Sequence, residues 1–75
     1  MRIQPIYFFD ENDKIKIEKL PEESETEAFF QKFGLYPGAE ALILWKYGKK
    51  IILKISENKI AISERAGKII YASKI

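Results

Sequence analysis

The stretch FGLYPGAE, Phe33–Glu40, places two glycines and a proline within eight residues. It lies between a run with helical spacing, TEAFFQKF, and a run with strand character, EALILWKY. Gly34 can adopt the left-handed backbone conformation that closes a helix, and Leu35 supplies the apolar contact that accompanies such a closure. Pro37-Gly38 suits a type II turn, in which proline fixes one dihedral and glycine accepts a positive φ. The stretch therefore predicts a stopped helix, a reversal and a new strand, the joint of a small barrel.

Upstream, IKIEKL (15–20) alternates apolar and charged residues, the signature of a half-buried strand. Before it, IYFF is an apolar cluster that serves as a short edge strand or a lid, and Asp10–Asp13 is a turn. Ser24 to Glu27 fits a capping box, and Phe29, Phe30 and Phe33 follow at helical spacing, so a helix is expected from Ser24 to Phe33. Downstream the signals are β: strands at 39–47, 50–56 and 59–63, one helical turn at Ser63–Ala66, and a last strand at 69–72. Within the first of these, simple alternation sets Leu42 and Leu44 on one face and Ile43 and Trp45 on the other. Five short strands joined by tight turns, with one short α-helix between the first and second, predict a mainly β, SH3-like closed barrel.

Seventy-five residues suffice for one domain, residues 1–75, and a domain of this size is marginally stable. There is no cysteine, so no disulfide assists, and no histidine, which removes the commonest metal ligand and general base at neutral pH. Stability has to come from a core, and 47% of the chain is hydrophobic. No run reaches the roughly 18 apolar residues of a membrane span, and the start does not read as a signal peptide; the expectation is a cytoplasmic protein without membrane insertion. The net charge of +2 is unevenly distributed: residues 1–41 carry five basic and nine acidic groups, residues 42–75 eight basic and two acidic. Such asymmetry marks an acidic or nucleic-acid partner, or simply lysines on the solvent face of strands.

The order of a helix, FGLYPGAEALIL, a hairpin and NKIAISERAGKII resembles the ferrous iron transport protein A (FeoA) family. Phe33-Gly34-Leu35-Tyr36-Pro37-Gly38 is similar to that family's Leu-Gly-Leu/Phe-x-Pro-Gly segment, with Phe for the first Leu. Ile60–Ala66 is similar to its late strand and helical turn. The likeness runs over roughly residues 7–74. Two loops depart from the pattern: the Tyr47-Gly48-Lys49 turn is short, and Asp10–Asp13 stands where the family has Pro-Gly. The resemblance implies an SH3-like barrel. It also implies a cytoplasmic accessory that binds and modulates a ferrous iron permease carrying a GTP-binding domain.

Catalytic machinery is not evident. The serines have no histidine partner, and Gly34 and Gly38 lack the following Gly-Lys-Ser/Thr of a phosphate loop, so a non-enzyme without a cofactor is expected. Asp10–Asp13 lacks the ligand alternation of a calcium loop and reads as a turn. The acids at 22, 23, 25 and 27 read as capping and solubility. Without imidazole or thiolate the residues argue against direct iron storage, and no metal ligands are assigned. The segment LWKYGKK (44–50) interleaves aromatics with lysines. Trp45 there fills the mouth of the barrel, anchors a protein partner, or stacks on bases as in a small nucleic-acid-binding barrel, the alternative function. Leu35, Tyr36, Trp45 and Tyr47 are the candidate partner-binding residues. Tyr36, held before Pro37, is expected to be extended, partly exposed and near Trp45; Gly34, Pro37 and Gly38 are the structural turn.

Overall fold

The computed structural model describes residues 2–21, 31–32 and 34–75. Among these residues six strands form one antiparallel sheet: β1 (Ile3–Pro5), β2 (Lys14–Lys19), β3 (Glu40–Tyr47), β4 (Lys50–Ile55), β5 (Asn58–Ser63) and β6 (Tyr71–Lys74), in the order β1-β6-β2-β3-β4-β5. A 3-10 turn, Ile6–Phe8, follows β1, and a four-residue helix, α1 (Glu64–Gly67), links β5 to β6.

Alternation builds the core. Ile15 and Ile17 of β2, Ala41 and Ile43 of β3, Ile51, Leu53 and Ile55 of β4, Ile62 of β5 and Ala72 of β6 all turn inward. They form one cluster with Ile6, Phe9, Leu35 and Ile70 from the connections. Each isoleucine removed from water contributes about 1.5–3 kcal/mol against chain entropy.

The sheet wraps around this cluster but does not close into the expected barrel: β1 and β5 are not paired with each other. The physical reason lies at the edges. β1 has three residues and ends in Pro5, which has no N–H to offer a ladder. The gap is bridged by packing. Gly67 of α1 packs between the 3-10 turn and β4: an added Cβ would sit 3.6 Å from the Tyr7 nitrogen, an ordinary contact, and only 2.6 Å from Ile51 Cδ1. Along the other edge of β1, the Ile6 N–H donates to the Ile70 carbonyl at 2.9 Å and carries the β1–β6 register one residue past Pro5. The IYFF cluster is thus a lid on the open seam, and the strand beside it, Ile3–Pro5, is a sixth element that alternation does not reveal.

Local chemistry explains the turns. Both hairpins at β3–β4 and β4–β5 have two-residue loops, with positive φ at the first loop residue, Gly48 (59°) and Ser56 (55°). α1 is capped by Ser63, whose Oγ accepts from the Ala66 N–H at 3.0 Å. Gln31 and Lys32 are helical, and the Gly34 N–H donates to the Gln31 carbonyl at 3.1 Å. The rest of the expected helix, its capping box and Phe29, Phe30 and Phe33, lies outside the described residues.

Candidate functional site

The joint forms as its residues dictate. Gly34 has φ +89°, and Gly38 has φ +96° after Pro37. The Ala39 N–H donates to the Tyr36 carbonyl at 3.0 Å, which closes a type II turn over Tyr36–Ala39. That turn is fastened to β2: the Gly38 N–H reaches the Ile17 carbonyl at 2.7 Å, and the Ile17 N–H reaches the Ala39 carbonyl at 2.8 Å. Leu35 behind it is 0% exposed. It is a core residue, withdrawn from any surface contact, because the helix-closing turn directs its side chain under the sheet.

Tyr36 is 52% exposed, as its place before proline suggests. It does not stand beside Trp45. The turn carrying Tyr36 leads into the first residue of β3, and Trp45 lies five residues further along, about 17 Å by strand rise. The two aromatics mark opposite ends of the strand.

Trp45 owes its position to a bulge. Ile43 pairs with Leu53, but Trp45 pairs with Ile52, so Leu44 is the extra residue. The insertion reverses the alternation expected for Ile43 and Trp45. Trp45 therefore faces outward, 52% exposed, and Tyr47 near the hairpin is 80% exposed. Neither fills a barrel mouth. With Lys50 and Ile52 they line a shallow groove on the outer face. The Lys59 ammonium stands 5.9 Å from the centroid of the Trp45 ring. The sequence carried one sign of this face: Ile52 is a half-buried apolar residue between inward Ile51 and Leu53, and it has to point out.

The same bulge places Lys46, which stays exposed, on the side of the strand that faces Ile51. Its ammonium donates to the carbonyls of Tyr7 at 2.7 Å and Phe9 at 3.1 Å. Of the lysines in LWKYGKK, this one is engaged within the fold and is not a free cation for phosphate.

Asp13 has its carboxylate pKa lowered. The Asp10 N–H, 2.9 Å from Oδ2, is the main cause, partly opposed by desolvation and aided by Lys74 at 3.4 Å. The group is a loop fastener: the Asp13 carbonyl accepts from the Ile43 N–H at 3.0 Å and the Asn12 N–H donates to the Ile43 carbonyl at 2.7 Å. Among the described residues no three of His, Cys, Asp and Glu gather where they could hold a metal ion. No helix among them is long and apolar enough to cross a membrane.

No protein-family model and no curated protein matches the chain. Solved structures do. An iron uptake regulatory protein (FeoA) superposes with a TM-score of 0.89 at 20% identity, over 100% of both chains. A FeoA-like protein from Clostridium acetobutylicum gives 0.86 at 18% identity, over 100% of this chain and 90% of that one. A manganese-dependent transcriptional repressor gives 0.91 at 10% identity, with this chain spanning 42% of its length. The fold is FeoA-like and SH3-like, with an unclosed sheet.

Proposed function

We propose that this chain is a non-catalytic, cytoplasmic accessory protein of ferrous iron uptake, which binds and modulates a membrane permease carrying a GTP-binding domain. The observation that carries the reading is the end-to-end match to an iron uptake regulatory protein (FeoA), which covers 100% of both chains. The repressor, by contrast, uses less than half of its length for this fold. The joint at Gly34–Gly38, on which the sequence resemblance rests, has the turn geometry that its residues call for.

Calorimetry with the purified GTP-binding domain of a ferrous iron permease from the same cell, together with that domain's GTP hydrolysis rate, tests the reading. Saturable binding with a changed rate is the expected result. No binding to the domain, together with binding to single-stranded RNA that weakens steeply with salt, would establish the nucleic-acid alternative instead. Against that alternative stand the engagement of Lys46 with Tyr7 and Phe9 and the ammonium already placed over Trp45.

A further inference from the structure

We infer that the open edge of β5, with the lysine-bearing outer face that runs from it to Trp45, docks an acidic, extended segment of a protein partner. The inference deepens the accessory reading by naming what the partner would present, and it rests on that reading only for the partner being a protein.

Three observations carry it. The first is the aromatic surface. Trp45 and Tyr47 are 52% and 80% exposed beside half-buried Ile52, in a chain whose only tryptophan could have been spent on the core.

The second is charge. The outward rows pair Tyr47 with Lys50 and Ser63, Trp45 with Ile52 and Ala61, and Leu42 with Lys54 and Lys59. These three rows contain lysines and no carboxylate; Glu40, at the end of β3 far from Trp45, is the acid that shares a groove with Leu42 and Lys54. The ion pairs among the described residues, Lys68–Glu64 and Lys74–Asp13, leave these lysines out. An acidic segment matches this field, whereas a second copy of the chain would set lysine against lysine.

The third is the edge. Ile55 pairs with Asn58 across the two-residue loop, and the Glu64 N–H donates to the Lys49 carbonyl at 2.7 Å. Bonded and non-bonded pairs alternate along an antiparallel ladder, so Asn58, Ile60 and Ile62 bond to β4. The N–H and C=O groups of Lys59 and Ala61 consequently point away from the sheet, at exposed positions. A peptide backbone complements such a row, whereas a nucleic-acid backbone has no matching pattern of donors and acceptors. Ala61, with its small side chain, lets an incoming strand approach.

The test is a titration of the chain, at low salt, with a short peptide of alternating glutamate and valine. The lysine–valine counterpart and an oligouridylate serve as comparators. The emission of Trp45 reports capture of the Lys59 ammonium that stands 5.9 Å from its ring, and hydrogen exchange at the Lys59 and Ala61 amides reports edge pairing. The expected result is a saturable emission shift with the glutamate peptide only, slowed exchange at both amides, and affinity lowered about tenfold or more in Trp45→Ala and in Lys59→Glu. Both variants alter exposed side chains, and a thermal melt verifies their folding. No emission shift with the glutamate peptide, or an oligouridylate that binds where the peptide does not, would overturn the proposal. The titration involves no permease, so its failure is distinct from a failure to bind the permease domain.

Discussion

The ammonium of Lys46 lies 2.7 Å from the carbonyl oxygen of Tyr7 and 5.0 Å from the centroid of that residue's ring. One side chain from mid-sheet thus holds the 3-10 lid at the seam between β1 and β5, and Lys68 stands on the same ring at 4.9 Å. A charged donor on a backbone carbonyl is a strong hydrogen bond, reduced here by solvent access. Lys46→Met should lower stability by about 1 kcal/mol, read as a lower urea midpoint with the slope retained. An unchanged midpoint would mean that the lid is held by apolar packing alone.

The two joint glycines differ in their surroundings. A Cβ at Gly34 would meet Ile55 Cγ2 at 3.2 Å, whereas at Gly38 it would meet nothing within 4 Å. Both have positive φ. Gly38→Ala should therefore show backbone strain alone, about 1 kcal/mol, and Gly34→Ala the same strain plus crowding, about 2 kcal/mol. Equal melting temperatures for the two variants would contradict this order.

Asp13 makes stability depend on acid. Its folded pKa lies below the ordinary 3.8. Its contribution is therefore fully present above pH 3.8 and is lost as pH falls through the lower folded value. The stability gap between the wild-type chain and Asp13→Asn should be constant near neutrality and shrink in strong acid. Denaturation series across that range measure it, and a gap that widened on acidification would reverse the sign.

Leu35 and Tyr36 are neighbours with opposite duties. Leu35→Ala opens a cavity in the core and should cost about 2–5 kcal/mol, enough to unfold much of a chain this small. Tyr36→Ala should stay within about 0.5 kcal/mol. Circular dichroism melts separate the two, and a strongly destabilised Tyr36→Ala would show that its ring packs in the fold.

The joint, the hairpins, the capped turn at Ser63 and the inward isoleucines were legible because each rests on neighbours in sequence: proline before glycine, a serine three residues ahead of the N–H it accepts, strict alternation. The bulges at Glu18 and Leu44 were not. An extra residue in a strand carries no composition of its own, and only the partner strand shows it. Trp45 was singled out from its type, but its outward direction and its companions Ile52 and Lys59 depend on that bulge and on pairing across β4 and β5. The open seam was hidden for a similar reason: closure is decided between the first and last strands of the sheet, which alternation within each strand cannot register.

Leu44 acts as a phase shifter in β3. Up to Ile43 the odd-numbered residues look inward; beyond it Trp45 looks out and Lys46, though exposed, takes the side of Ile51. A related sequence threaded through this strand without a one-residue gap would have its interior and exterior exchanged from Trp45 onward. At identities of 20% and below, such a slip is enough to conceal which of its residues correspond to the docking face.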